Sequence, residues 1–161
     1  MLIVILSLLV LSFGFVLLRG APYLPTKKKQ IQTALDFAGL KEGQVLLELG
    51  SGDGAVLVEA ARRGLHVVGY ELNPILVLIA KIRCYQFRDQ VSIIWGDYWV
   101  KQWPKSDAMY VFLLDKYMNK LDKKVTQYAI GQKYVVVSNT FLLPGRKPHK
   151  SRDGIHLYLY K

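Results

Sequence analysis

Sulfur and imidazole ligands are scarce in this chain of 161 residues. Cys84 is the only cysteine, so no disulfide can form within the chain. The three histidines, His66, His149 and His156, are scattered and lack the spacing of metal ligands, so we predict no bound metal. Internal repeats and low-complexity tracts are also missing, and the length suits one folded domain with a sizeable core.

Charged side chains are absent from the stretch Met1 to Leu18, where 14 of 18 residues are Leu, Ile, Val or Phe. Inserting such a run into a bilayer is favoured by roughly 4–8 kcal/mol. As a helix it would span about 27 Å, which is just enough for a hydrocarbon core. We therefore predict a transmembrane anchor over residues 1–19 and one domain over residues 20–161.

A cleaved signal peptide is the main alternative to this anchor, and a buried core helix is the other. A signal peptide calls for basic residues ahead of the run and a small-x-small cleavage site. No Lys or Arg precedes the run, and residues 17–20 make a poor cleavage site. Arg19 and Lys27 to Lys29 follow it, so the positive-inside rule predicts a single-pass membrane protein with its domain in the cytoplasm.

The formal net charge of +10 suggests an anionic partner, either lipid headgroups or nucleic acid. With an anchor present, headgroups are the simpler explanation, since juxtamembrane Lys and Arg are attracted to anionic leaflets. We do not expect a nucleic-acid partner.

The most informative segment is Val45-Leu-Leu-Glu-Leu-Gly-Ser-Gly-Asp-Gly54. An apolar strand leads into a glycine turn, which is the usual frame for a nucleotide-like cofactor. Glu48 and Asp53 place carboxylates around this turn. Each would repel a dinucleotide pyrophosphate by about 1–4 kcal/mol at close range. The pattern therefore favours S-adenosylmethionine (SAM), which carries an ammonium and a sulfonium.

Two other interpretations of this turn stay open. Gly50, Gly52 and Ala55 fit the permissive G-x-G-x-x-G/A pattern of dinucleotide sites, although that spacing alone is a weak signal. A tight strand-to-helix turn without any ligand would also fit.

The chain downstream of the anchor alternates predicted strands and helices, so we expect an α/β fold with a doubly wound, mostly parallel Rossmann-like sheet. Strands are predicted at 45–49, 66–70, 91–95, 108–113, 134–138 and 156–160. Helices are predicted at 27–38, 55–63, 74–88 and 115–130, the first capped by Thr26 and the third by Asn73. Residues 146–152 read as a basic loop.

Acidic residues follow three of the predicted strands. Glu71 is placed to accept hydrogen bonds from ribose hydroxyls, and Asp97 is placed to bind an adenine amino group while Tyr98 covers the ring. Asp115 could hold or deprotonate an amine, or it could cap the next helix. Each also has an ordinary explanation as a solvated strand end or turn. Asn139 and Phe141 follow the fifth strand and should lie at the same edge.

The predicted helix 74–88 is apolar around nearly its whole circumference. A surface helix would show one apolar stripe. The helix is therefore either well buried or rests one face on lipid or on an apolar partner.

The spacing Glu48-x-Gly50-x-Gly52-x-Gly54 with Glu71 resembles the class I SAM-dependent methyltransferases. The segments Pro22-Tyr-Leu-Pro-Thr26 and Val68-Gly-Tyr-Glu-Leu-Asn-Pro74 are similar to those of small membrane-anchored protein-lysine N-methyltransferases. Relatives of this group modify lysines of the ATP synthase c-subunit and of the adenine nucleotide carrier.

The resemblance implies roles by position. Residues 22–26 should fold over the methionine end of SAM, and the glycine turn should hold its amino acid part. The implied cofactor-binding residues are Thr26, Glu48, Gly50, Ser51, Gly52, Asp53, Gly54, Glu71, Leu72, Asp97 and Tyr98. The expected acceptor pocket contains Tyr23, Trp99, Asn139 and Phe141, with Asp115 as the candidate catalytic residue.

Two departures from the resembled group affect the acceptor. Relatives tend to have Pro after the fourth strand, where this chain has Leu114-Asp-Lys116, and the tail after Asn139 matches poorly. The first 18 residues also lack the Arg-rich pattern of a mitochondrial presequence, so we expect a bacterial plasma membrane.

The expected reaction is N-methylation of a lysine on a membrane or membrane-associated protein. A lipid, a quinone-like molecule or RNA could be the acceptor instead. The domain could also bind SAM without catalysis and act as a membrane interaction module.

Overall fold

The structure is a computed structural model that describes Met1 and residues 23–161. The predicted anchor over residues 1–19 therefore lies outside the part of the chain that is described, apart from Met1. Within that part, no helix combines the length and the apolar character needed to cross a bilayer.

A seven-stranded sheet forms the centre of the domain, in the order β3-β2-β1-β4-β5-β7-β6. The strands are β1 (Val45–Leu49), β2 (His66–Glu71), β3 (Val91–Trp95), β4 (Ala108–Val111), β5 (Tyr134–Asn139), β6 (Lys150–Arg152) and β7 (Ile155–Tyr160). The first five run parallel, while β7 lies antiparallel between β5 and β6. This confirms the predicted mostly parallel, Rossmann-like sheet.

Helices cover both faces of this sheet, but unequally. They are α1 (Lys28–Ala38), α2 (Ala55–Arg62), α3 (Pro74–Arg83) and α4 (Asp115–Tyr128). Successive residues of a strand point to opposite faces, so Leu46 packs into the core with α1 and α2, while Leu47 packs into the core with α4. Glu48 therefore lies on the same side of the sheet as Leu46.

Local sequence signals explain most of the helix boundaries. Asn73 Oδ1 accepts a hydrogen bond from the Ile75 amide at 2.9 Å, and Pro74 fills the first helical position, as predicted. Gly39 ends α1 in the left-handed conformation. The predicted Thr26 cap is wrong, because Lys27 precedes α1 without a side-chain cap. The Thr26 hydroxyl oxygen lies instead 3.4 Å from that of Tyr110.

Two predicted elements need correction. The helix predicted over 74–88 ends at Arg83, and a 3-10 turn follows over Tyr85–Phe87. The predicted basic loop 146–152 contains β6, whose three residues are all exposed. Nothing in their own sequence alternates between apolar and polar, so β6 exists because β7 provides its hydrogen-bonding partner.

The third glycine of the turn serves helix packing. Gly54 has φ +81°, and a Cβ added there would lie 3.1 Å from the Ala80 Cβ and 3.3 Å from the Cys84 Sγ. Ala80 belongs to α3, so the missing side chain lets α2 begin directly against that helix.

We expect Gly54→Ala to destabilise the fold more than Gly43→Ala. Gly43 has nearly the same φ, +82°, but a Cβ there would meet nothing within 4 Å. Both substitutions carry a left-handed backbone cost of about 1–2 kcal/mol, and only Gly54→Ala adds an overpacking cost of about 1–3 kcal/mol. Thermal unfolding of the full chain in detergent measures the difference. Equal losses in the two variants would show that the approach of α3 has no energetic weight.

Candidate active site

The turn after β1 is held against the neighbouring strand by its own backbone. The amides of Gly50 and Ser51 both donate to the Tyr70 carbonyl, at 2.9 and 2.8 Å. Gly50 and Gly52 adopt φ values of +84° and +54°, which side chains other than that of glycine rarely allow. The turn is therefore fixed before any ligand arrives.

Glu71, at the end of β2, braces this turn from the other side. Its Oε2 accepts a hydrogen bond from the Gly52 amide and its Oε1 accepts one from the Asn73 amide, both at 2.8 Å. Burial raises the pKa of Glu71, and these backbone hydrogen bonds oppose that rise. The carboxylate thus ties the glycine turn to the start of α3 while still lining the pocket.

The pocket at this carboxyl edge of the sheet is strongly acidic. Four carboxylates line it: Glu48, Asp53, Glu71 and Asp97. Among the described residues, its wall contains no Lys, Arg or His. Such a site repels phosphate groups and attracts cations.

Glu48 is the least compensated of these acids. Its side chain is buried, and its Oε2 has no hydrogen-bond partner among the described residues. Burial raises the pKa of Glu48 well above its usual value, and the nearby carboxylates Glu71 and Asp53 raise it further. A buried acceptor without a donor is costly, so a ligand that brings N–H donors and positive charge would complete it.

The Ser51 hydroxyl offers a second buried polar atom without a partner in the described structure. It lines the pocket next to Gly50, where a Cβ would meet nothing within 4 Å. An open, polar-edged cradle beside Glu48 fits the amino acid part of SAM, whose ammonium is the cation that Glu48 lacks.

Asp53 contributes less negative charge than the sequence suggested. Its carboxylate forms an ion pair with Arg83, and its Oδ1 accepts from the Ala55 amide at 3.3 Å. Since Arg83 offsets that charge, the acidity at the turn comes mainly from Glu48.

The loop after β3 forms the opposite wall. Asp97 Oδ1 accepts a hydrogen bond from the Trp99 amide at 2.7 Å, and the Tyr98 side chain is buried. Lys124 of α4 holds the loop from behind, because its Nζ donates to the carbonyls of Tyr98 and Trp99 at 2.7 and 2.9 Å. Burial lowers the pKa of Lys124, while Asp97 opposes that change.

The acceptor end is aromatic and apolar. Tyr23, Trp99 and Phe141 line it as predicted, but Asn139 does not. Asn139 is fully buried behind the wall, where its Nδ2 donates to the Tyr110 hydroxyl at 3.0 Å. Burial raises the pKa of Tyr110 to about 12, so this phenol keeps its proton at neutral pH.

Two other predicted site residues lie outside the pocket wall. Asp115 is the first residue of α4 and is exposed, whereas the wall stops at Leu114. Gly54 faces α3 instead of the pocket, in keeping with its role in helix packing. The remaining predicted cofactor residues, Thr26 and Leu72 included, all line the pocket.

Sequence reasoning missed several lining residues. They are Leu24, Pro25, Ala55, Val56, Asn73, Leu76, Tyr110, Phe112, Leu113 and Leu114. Tyr110 and Phe112 alternate along the end of β4, a signal that could have found them. Leu76 carried no signal, because every neighbour in its stretch of sequence is also apolar.

Comparison with known proteins matches residues 48–150 to the ANTKMT methyltransferase domain. The chain belongs to this family. The match spans the glycine turn, Glu71, the Asp97 loop and β5, so it includes most of the pocket. Family membership confirms the predicted class I SAM-dependent methyltransferase and SAM as its cofactor.

Individual relatives of this ANTKMT-type domain agree. The human lysine N-methyltransferase of the ATP synthase c-subunit is 28% identical over 137 residues, which cover 83% of this chain and 58% of the relative. A protein-lysine N-methyltransferase of Saccharolobus islandicus is 27% identical, covering 86% of this chain and 92% of the relative. The chain spans about three fifths of the length of the vertebrate relatives it matches.

Among solved structures, an RNA methyltransferase from Salinibacter ruber in complex with S-adenosyl-L-homocysteine superposes with a TM-score of 0.75. It is 27% identical, and the match covers 85% of this chain and 92% of that one.

We expect SAM binding to strengthen as pH rises through the raised pKa of Glu48. Below that pKa the carboxyl is protonated and must lose its proton to pair with a cation, so affinity should change by up to about tenfold per pH unit. Calorimetric titration in buffers of different ionisation enthalpy should show proton release on binding.

The matched variant is Glu48→Gln, which keeps the volume and removes the charge. Its affinity should fall about 10- to 100-fold, because hydrogen bonds to charged groups contribute about 1.5–3 kcal/mol. A carboxyl with a raised folded-state pKa destabilises the fold as pH rises. Glu48→Gln should therefore raise Tm more at pH 8 than at pH 5. An unchanged pH dependence of SAM binding in Glu48→Gln would contradict the assignment.

We expect Lys124→Met to weaken SAM binding about 3- to 30-fold, because the loop that carries Asp97 and Tyr98 loses its charged tether. Lys123→Met is the control, since Lys123 is the exposed neighbour on the same helix. Calorimetric titration of both variants decides the point. Equal affinities would show that the loop holds its position without Lys124.

Proposed function

We propose that this chain is a SAM-dependent N-methyltransferase acting on a lysine of a membrane or membrane-associated protein. The observation that carries this proposal is the division of one pocket into two ends. An acidic end around Glu48 adjoins an apolar, aromatic end around Trp99 and Phe141. The first suits a cationic cofactor and the second suits a long aliphatic side chain.

The acidic end assigns cofactor roles to this chain's residues. Glu48, Ser51 and the glycine turn would hold the amino acid part of SAM, Glu71 its ribose and Asp97 its adenine. When bound, SAM supplies a methyl group on a positively charged sulfur. The protein then has to position the reactants and exclude water.

The apolar end explains how a lysine becomes reactive. A free lysine has a pKa of about 10.4 and must lose its proton before it can attack. Walls such as Tyr23, Trp99 and Phe141 desolvate the ammonium and so lower its pKa. Tyr110 keeps its own proton and is therefore an orienting group, with Asn139 and Thr26 beside its hydroxyl.

Membrane anchoring is the second part of the proposal. The uncharged run from Met1 to Leu18 would hold the enzyme at a bilayer, with the domain in the cytoplasm of a bacterial cell. A tethered enzyme searches in two dimensions, which suits a lysine near the membrane surface. The names of the curated relatives support a lysine acceptor on a membrane protein.

RNA is the second candidate acceptor, because the Salinibacter ruber neighbour is named an RNA methyltransferase. A lipid or quinone-like molecule would also fit the apolar end. A non-catalytic SAM-binding module would bind the cofactor and transfer nothing.

The test incubates membranes with the full chain and SAM radiolabelled on its methyl group. We expect label in protein, recovered as methyl-lysine after acid hydrolysis. Glu48→Gln should lose this label, while Glu42→Gln, an exposed acid outside the pocket, should keep it. Label in RNA or in extracted lipid would replace the lysine proposal, and binding of SAM with no transfer to any fraction would leave only the module.

A further inference from the structure

The outer side of α3 is apolar where water would be expected. Leu78, Ile79, Ile82 and Tyr85 are 59%, 41%, 69% and 69% exposed, and we call them the α3 face. Leu78, Ile82 and Tyr85 follow each other at helical spacing, so they lie on one side. The inner side of the helix packs on the domain through Leu76, Val77 and Ala80.

Positive charge borders the α3 face. Lys81 and Arg88 are exposed, and the Arg88 guanidinium lies 5.3 Å from the centre of the Tyr85 ring. These two cations and Tyr85 rim a shallow depression whose floor is Cys84, Val91 and Ile93. An apolar surface with a cationic rim and a tyrosine is the pattern of helices that lie in a membrane interface.

The start of the described domain lies on the same side. The Tyr23 ring packs over Gly52, next to Asp53, and Asp53 pairs with Arg83 at the end of α3. Five residues separate Leu18 from Tyr23, so they reach at most about 18 Å. An anchor that ends near Leu18 would therefore keep this side of the domain close to the bilayer.

We propose that the α3 face docks on an anionic lipid bilayer, with Lys81 and Arg88 contacting headgroup phosphates. This rests on the anchoring part of the proposed function. Since Asn73 and Leu76 at the start of α3 line the pocket, docking would hold the pocket at a fixed height above the membrane. The acceptor would then be a lysine within reach of the headgroup layer.

The test places an environment-sensitive fluorophore on the full chain. Cys84→Ser removes the native thiol, and either Ile82→Cys or Lys123→Cys adds one for labelling. Lys123 lies on α4, which covers the opposite face of the sheet. The probes are vesicles of phosphatidylcholine alone, or with phosphatidylglycerol, each carrying a lipid-borne quencher.

We expect the label at 82 to shift to the blue and to be quenched several-fold more than the label at 123, most strongly with phosphatidylglycerol. Adding Lys81→Glu with Arg88→Glu should abolish the excess, whereas Lys123→Glu with Lys133→Glu, carrying the same net charge, should not when read at position 82. Equal quenching at 82 and 123 on both vesicles would overturn the proposal. Shielding of the label at 82 without vesicles, growing with protein concentration, would assign the face to a second copy and overturn it too.

Flotation with phosphatidylcholine vesicles reads the anchor separately. A chain that floats while its label at 82 stays in water refutes docking and leaves anchoring intact. A chain that stays unbound there, but whose label at 82 enters phosphatidylglycerol vesicles, refutes the anchor and supports docking.

Discussion

The buried carboxylate of Glu48 is the constraint around which the site is organised. A side chain at the end of a central strand is enclosed on all sides, and here it is an acid without a donor among the described residues. Its ionisation is opposed by burial and by Glu71 and Asp53. Such an arrangement costs stability, and it is relieved when a cationic ligand arrives. The fold thus stores in one residue a preference for SAM over phosphates.

The rest of the pocket keeps that preference rigid. Glu71 binds the amides of Gly52 and Asn73, so one carboxylate joins the glycine turn to α3. Lys124 performs the matching task for the loop after β3 by holding two of its carbonyls. Both walls are therefore fixed by charged side chains bonded to backbone, and little reorganisation is needed on binding.

The unequal covering of the sheet explains how a short chain can present both a pocket and an outer surface. The helices α1 to α3 share one face of the sheet, and α4 with the aromatic loop around Tyr98 and Trp103 covers the other. This leaves the outer side of α3 exposed and apolar. If a membrane covers it, the same helix that begins at the cofactor also meets the bilayer.

Much of this protein follows from its sequence alone. The strand, the three glycines and Glu48 determine a cofactor turn, since backbone geometry and charge act within a few residues. The alternation of strands and helices determines a mostly parallel sheet. The charge of Asp53, by contrast, could not be judged without knowing that Arg83, thirty residues away in sequence, would pair with it.

Only the tertiary structure decided which side chains face the ligand. It placed Asn139 behind Tyr110, turned Gly54 toward α3, left Asp115 outside the wall and made β6 a strand. Each of these outcomes depends on a partner distant in the chain. Local sequence specifies conformation and charge, whereas contact between distant residues exists only once the sheet has assembled.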